Sequence, residues 1–321
     1  MKFSSFLSAE LSQYADYRIA SGLTGQVSLD NLRYFDRYLS ERYPDSEVLT
    51  QDMIAGWFEC RKTESTNSCL TRTNVVCAFL NYARLKGWTD ITPPLRPAAV
   101  RSNFRPHGFT EQELKSFFEA CDNIKMDKPR SLRQRIRKVS VPVFFRLLYS
   151  TGMRTCEARM LLRTDVDWKT GIIEIRDSKG VDQHRIVLHQ TMLALLDRYD
   201  KAMEKIIPGH KYLFPGPGDT PHSRMWQAYN FNAMWKQCCR DKARAYDLRS
   251  LYATTNINSW QCSGMEWYGN LVYLSRSMGH RFLQSTAYYY HLTPYLSDKM
   301  TELTAEGFDS MLPKTDGYYE E

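Results

Sequence analysis

Val141-Pro142-Val143-Phe144-Phe145-Arg146-Leu147-Leu148-Tyr149-Ser150-Thr151-Gly152-Met153-Arg154 is the stretch on which the reading of this chain turns. The apolar run is helical, and Thr151-Gly152 ends it, because glycine accepts the left-handed conformation in which helices commonly terminate. A new helix opens with Arg154, continues through Glu157 and Leu161-Leu162, and closes toward Asp165-Val166-Asp167. Downstream, Gly171-Ile172-Ile173-Glu174-Ile175-Arg176 and His184-Arg185-Ile186-Val187-Leu188 read as two short strands. Ser178-Lys179-Gly180 is the turn between them, which places Lys179 at a hairpin tip.

Three more motifs follow: Tyr246-Asp247-Leu248-Arg249, Met278-Gly279-His280, and Ser285-Thr286-Ala287-Tyr288-Tyr289-Tyr290-His291. Arg154 and Arg249 bring guanidiniums, which stay charged at any physiological pH and present planar donors that fit phosphate oxygens in pairs. With the Lys179 ammonium and the His280 imidazole they make a set suited to a phosphate, and the phenol of Tyr289 can attack it. Phosphoryl transfer needs its equatorial oxygens neutralised and the attacking and leaving oxygens held in line. Nothing in the set has the look of a metal site, so side chains supply the cations; no metal and no cofactor is expected. Taken singly, each residue has a plainer reading: a surface arginine, a solvated turn lysine, a core histidine, a packing tyrosine. Their conjunction, in this order and in these local patterns, points to DNA strand transfer through a covalent phosphotyrosine.

These residues resemble the catalytic domain of the tyrosine recombinases, the phage-integrase family, over residues 108–295 and more loosely over the helical region before them. Arg154 and Arg249 fall on the family's two arginines, Lys179 on its hairpin lysine, Gly279-His280 on its later Gly-His pair and Tyr289 on its nucleophile. Glu157 matches an acidic position that braces the site. Tyr246 stands where the family most often has histidine. A phenol has an ordinary pKa near 10, so Tyr246 is expected to orient the phosphate or Arg249 as an uncharged group, unless it turns into the core. The resemblance implies a mainly α fold with a small β-sheet: a helical core-type DNA-binding domain followed by a mixed α+β catalytic domain. It implies that Tyr289 forms a 3′-phosphotyrosyl link, that Arg154, Arg249 and His280 hold the nonbridging oxygens, and that Lys179 protonates the departing 5′-oxygen. Its implied partners are double-stranded recombination sites and three further copies of the chain, a tetramer on two duplexes passing through a Holliday junction, with accessory DNA-bending proteins left open. The leading expectation is an integrase or excisionase of a mobile element. Alternatives are a chromosome-dimer resolvase or topoisomerase-like enzyme of the same chemistry, and an architectural DNA-binding protein with a degenerate site.

The rest of the sequence agrees. Its 321 residues suit two domains, and a net charge of +7 suits a polyanionic partner. The start lacks the long apolar stretch of a signal peptide and no run is long enough to span a bilayer, so a cytoplasmic, nucleoid-associated protein is expected. Eight cysteines show no paired spacing and are expected to be free thiols. Asp90-Ile91-Thr92-Pro93-Pro94-Leu95-Arg96-Pro97 cannot continue a helix, so residues 90–107 form a basic linker between a domain at 1–89 and a catalytic domain at 108–321. Thr110 and Glu113 make a capping box at the start of the latter. Helices are expected near 4–21, 29–43, 50–61 and 66–86, with Ser28 and Thr50 as caps and Pro44 and Gly87 as stops. No further domain is expected ahead of them, hence no arm-type DNA sites. Arg72, Arg84, Arg101, Arg105, Arg130, Arg133 and Arg137 are candidate DNA contacts, the last three within the basic run from Lys125 to Lys138. The tail from about 292 carries Leu292, Leu296, Met300 and Leu303 at helical spacing and is expected to dock on a neighbouring protomer or on its own domain.

Overall fold

The computed structural model describes residues 3–23, 25–100, 104–124, 131–176, 183–260 and 266–289. Lys179, Arg101, Arg130 and the tail from 292 lie outside the described residues. The chain divides into two compact units, Met1–Phe104 and Arg105–Glu321.

The first unit is built from α1 (Ser8–Ala20), α2 (Gln26–Arg42), α3 (Gln51–Phe58) and α4 (Thr66–Leu85). Leu32, Phe35, Leu39, Ile54, Trp57, Phe79 and Leu80 form its core. Thr50 caps α3 by accepting the Met53 N–H, and Gly87, with φ +72°, follows the end of α4. Ser28 is not a cap: α2 begins a turn earlier, with Gly25 at the N-cap, a position glycine tolerates nearly as well as serine. Residues 4 and 5 are also not helical, because the buried Asp36 carboxylate accepts their backbone N–H groups at 2.8 and 2.9 Å.

Arg72 is placed differently from its expected role as a DNA contact. It is 5% exposed, and its guanidinium donates to the Trp57 carbonyl, to the Glu59 carbonyl at 3.1 Å and to both oxygens of Glu64 at 3.0 and 2.7 Å. The last carbonyls of a helix have no internal partner and attract positive charge. Arg72 therefore ends α3 at Phe58, three residues short of the expected end, and its hydrogen bonds hold the Glu64 carboxyl below its usual range. Arg84 is exposed on α4. After it the proline-containing segment runs without secondary structure, tied to α4 by reciprocal bonds between the Asn67 side chain and the Val100 backbone at 2.7 and 2.9 Å.

The second unit contains α5 (Glu111–Asp122), α6 (Leu132–Thr151), α7 (Thr155–Met160), strands β1 (Val166–Asp167), β2 (Ile172–Ile175) and β3 (His184–Val187), then α8 (Gln190–Glu204), α9 (Arg224–Cys238), α10 (Asp247–Ser259), α11 (Glu266–Ser277) and α12 (Gln284–Ala287). The strands form an antiparallel sheet in the order β1-β2-β3, with Ile173 opposite Ile186 and Ile175 opposite His184. Thr110 and Glu113 make the expected capping box. Helix α6 is the hydrophobic axis: Val141, Phe144, Phe145, Leu147 and Leu148 are at most 1% exposed, packed among α5, α8 and α10. The fold is thus mainly α with a small sheet, as expected; α7 ends at Met160, short of the expected close near residues 165–167, where Val166–Asp167 instead pair as β1, and α8, α9, α10 and α11 have no counterpart in the sequence reading. Among the described residues, no helix is long and apolar enough to cross a membrane.

Removing one partner of a buried ion pair costs roughly 3–5 kcal/mol because the other charge is left uncompensated. Arg72→Gln is expected to lower the urea midpoint of the first unit's transition, followed by Trp57 fluorescence. A midpoint equal to wild type would show that the α3 carbonyls and Glu64 need no cation.

Candidate active site

Helix α6 ends at Gly152, whose φ of +62° is costly for any residue with a Cβ. Space gives a second reason: a Cβ there would lie 2.3 Å from the Tyr252 ring. The turn throws Arg154 to the N-cap of α7. Its backbone N–H and Nη1 donate to the Glu157 carboxylate at 2.7 and 2.5 Å, and Nη2 donates to the Gly279 carbonyl at 2.6 Å. The Glu157 side chain is 1% exposed, so a buried carboxylate fixes this arginine.

Arg249, on the first turn of α10, is 1% exposed. Nη1 donates to the Gly152 carbonyl at 2.7 Å, and Nη2 to the Met278 carbonyl at 2.7 Å and to His280 Nε2 at 2.8 Å. A guanidinium only donates, so Nε2 of His280 is the accepting nitrogen. The ring proton therefore sits on Nδ1 and goes to Thr286 Oγ1, 2.7 Å away. Burial, followed by the charges of Arg249 and Arg154, pushes His280 down to about 3, so the imidazole is neutral at pH 7. Among the described residues, the groups that accept from Arg249 are consequently all uncharged.

Tyr289 is 6% exposed and belongs to a small apolar cluster with Ala253, Ile257, Leu274 and Met278. Its ring lies at 14° to His280 with centroids 6.2 Å apart. Burial raises its pKa, Arg249 pulls it back, and the nearby Tyr246 adds to the rise. Of its neighbours in sequence, Tyr288 is 47% exposed, and Tyr290 and His291 lie outside the described residues. Tyr246 is the N-cap of α10 and 44% exposed, so it does not turn into the core.

The structure brings together Arg154, Glu157, Arg249, His280 and Tyr289, with Tyr246 at their edge. Two members have no counterpart in the sequence reading: Thr286, fully buried three residues before Tyr289, and His184 at the start of β3. Thr286 was in view only as a letter of the tyrosine motif. His184 was read as strand, and only the packing of β3 on α11 shows where its ring goes. Beside these residues is an open cleft of about 1050 Å³ whose lining includes Arg176, Arg185, Arg276 and Arg281. Among the remaining candidate DNA contacts, Arg105 and Arg133 are exposed, and Arg137 is half-buried with Nε donating to Asn230 at 2.6 Å. Two groupings among the described residues have metal-ligand spacing, Cys60-Glu64-Cys69 and Glu113-Cys239-Asp241. Neither includes a site residue, and Glu64 and Glu113 already accept hydrogen bonds.

A mostly helical unit in which two arginines, a neutral histidine and a buried tyrosine converge defines a DNA breaking-and-rejoining enzyme of the tyrosine recombinase class. The chain belongs to the phage integrase family, whose profile matches residues 108–295. It is 25% identical to the integrase/recombinase y4rE of Sinorhizobium fredii over 305 residues, 89% of this chain and 92% of that protein. It is also 25% identical to the tyrosine recombinase XerC of Staphylococcus saprophyticus, over 82% of this chain and 84% of that one. The fold resembles that of the XerH site-specific recombinase in a post-cleavage complex with difH substrate, at TM-score 0.61 and 18% identity, covering 87% of this chain and 78% of that one. A lambda integrase dimer bound to a core site matches at TM-score 0.58 and 18% identity, covering 90% of this chain and 77% of that one.

Thr286 fixes the tautomer that leaves His280 Nε2 able to accept from Arg249. A hydrogen bond of this kind contributes about 1 kcal/mol net, so Thr286→Val is expected to slow strand cleavage roughly 5-fold while DNA affinity holds. Single-turnover cleavage beside a gel-shift titration reads this, and an undiminished rate would detach Thr286 from the site.

Proposed function

We propose that this chain is a site-specific recombinase of a mobile element that cuts DNA with Tyr289 and rejoins it by reversing the same ester exchange. The observation that carries the assignment is the pairing of a desolvated Arg249, surrounded by uncharged partners, with the buried phenol of Tyr289. A buried cation without a counter-charge is costly, and a phosphodiester entering beside it supplies that charge. In this reading the Tyr289 oxygen bonds to phosphorus as the bond to the 5′-oxygen breaks, leaving a 3′-phosphotyrosyl ester and a free 5′-hydroxyl. Arg154 and Arg249 neutralise the nonbridging oxygens, and His280 holds Arg249 in place by accepting from it; fixed donors aimed at developing charge are the largest contribution in such sites. The phenol is protonated at neutral pH and must lose its proton during attack, and Lys179 delivers one to the departing oxygen. The ester keeps the energy of the broken bond, so rejoining needs no nucleotide. Tyr246, exposed at the edge, orients the phosphate.

The integrase names of relatives such as y4rE support the mobile-element role, and a likeness in fold to a Tn1549 transposon integrase bound to circular intermediate DNA accords with it. Chromosome-dimer resolution by the same chemistry is a second reading, and the tyrosine recombinase XerC is among the similar proteins. Action as a tetramer on two duplexes accords with a lambda integrase tetramer, similar to this chain in fold, that is bound to a Holliday junction.

A duplex nicked next to the cleavage point traps the covalent complex, because the short cleaved end diffuses away. Peptide mapping of the adduct is expected to find DNA on Tyr289 and none with Tyr289→Phe; an adduct on Tyr288 or Tyr290 would overturn the assignment. For the duplex-binding surface, Arg133 and Arg135 are exposed on the first turns of α6. Replacing both by Gln is expected to lower the slope of log affinity against log salt by about 1.8, since each lost phosphate contact removes about 0.9. An unchanged slope would make this a solvated helix face.

A further inference from the structure

His184 is the first residue of β3, paired with Ile175 of β2. Its ring leaves the sheet and packs on Gly279. A Cβ at Gly279 would lie 2.6 Å from His184 Cε1, 2.8 Å from Nδ1 and 3.0 Å from Nε2, and the glycine has φ +64°. Gly279 is the residue whose carbonyl receives Arg154, and its neighbour in sequence is His280. The imidazole thus sits at the junction of Arg154, Arg249 and His280. Both of its ring nitrogens are buried with no hydrogen-bond partner among the described residues, and the residue lines the open cleft together with Gly279 and His280.

Buried polar atoms are almost always satisfied, and those left unpaired call for an explanation, a catalytic role among them. If the site wanted only volume at this position, an aromatic hydrocarbon would fill it without the desolvation penalty of two orphan nitrogens. We propose that His184 is a further catalytic residue of this enzyme, a second imidazole whose N–H donates to an oxygen of the scissile phosphodiester when DNA occupies the cleft. This rests on the strand-transfer reading and adds a donor from the sheet to those on the helices. The groups that face it are Glu157 and Arg154 at α7, Arg249 on α10 and His280 after α11. Burial and the two guanidiniums, opposed by Glu157, hold the ring below its ordinary pKa, so it acts as a neutral donor and leaves the charge to the arginines. Its place on the strand that leaves the hairpin also couples the sheet to the arginine pair.

The test is single-turnover formation of the covalent complex on the nicked duplex, with DNA affinity and melting temperature measured on the same full-length proteins. His184→Phe keeps a ring over Gly279 and removes both nitrogens. It is expected to form the complex at least 10-fold more slowly, bind DNA as wild type does, and melt no lower. His184→Gln, which restores an N–H donor, is expected to recover part of the rate, while His184→Leu is not. This second pair decides the matter should His184→Phe melt early. Wild-type rates for Phe, or equal rates for Gln and Leu, would reduce His184 to packing. Failure of the wild-type chain itself to form a Tyr289 adduct would instead overturn the strand-transfer reading, and this assignment with it.

Discussion

The buried guanidinium of Arg249 is the interaction on which the arrangement of the second unit's site depends. One planar group reaches the carbonyl of Gly152 after α6, the carbonyl of Met278 after α11, and the imidazole of His280. Gly152 is far in sequence from the other two, and the guanidinium gives each a hydrogen bond that water cannot supply at that depth. Because its fork of donors is rigid, it sets distances as well as attraction. The same group that assembles the turn regions is a cation whose hydrogen-bond acceptors among the described residues are all uncharged.

Two glycine turns make that arrangement geometrically accessible. At Gly152 and at Gly279 the backbone takes positive φ, and in each case an aromatic ring occupies the space a Cβ would need: Tyr252 in the first, His184 in the second. The rings hold the turns where Arg154 can span between them, one end on Glu157 and the other on the Gly279 carbonyl. A side chain at either glycine would meet both backbone strain and a ring, and Arg154 would lose its anchor.

The electrostatics divide the labour. Arg154 carries its own carboxylate partner and is positioned but partly neutralised, whereas Arg249 is not neutralised by any of the groups it bonds. The histidines are buried beside guanidiniums and stay neutral, so they contribute directional hydrogen bonds without adding charge. Tyr289 shares this desolvated pocket, which raises the cost of its phenolate, and the arginines offset part of that cost. Two guanidiniums against the one carboxylate of Glu157 leave this set of groups with an excess of positive charge.

Much of this was legible in the sequence. The apolar run of α6 ending in Thr151-Gly152 announced a helix and its terminator, Thr110 and Glu113 announced a cap, and the order of Arg154, Arg249, His280 and Tyr289 announced the chemistry. These features are local, or are motifs whose meaning lies in residue type and spacing. The sequence could not say that Arg72 is a buried helix cap while Arg133 is exposed, because both are arginines on helices and only packing distinguishes them. Nor could it say that Ser28 lies inside α2, since glycine three residues earlier serves equally well as a cap. His184 was read as strand, and strand alternation left open whether its ring met solvent or the site; the packing of β3 on α11 decided it. The tautomer of His280 likewise depended on Arg249 arriving from another helix and on Thr286 turning back from the next. Residue identity determined which charges and donors this chain possesses; burial and long-range contact decided which of them are left unpaired, because desolvation is a property of the folded interior and not of the chain.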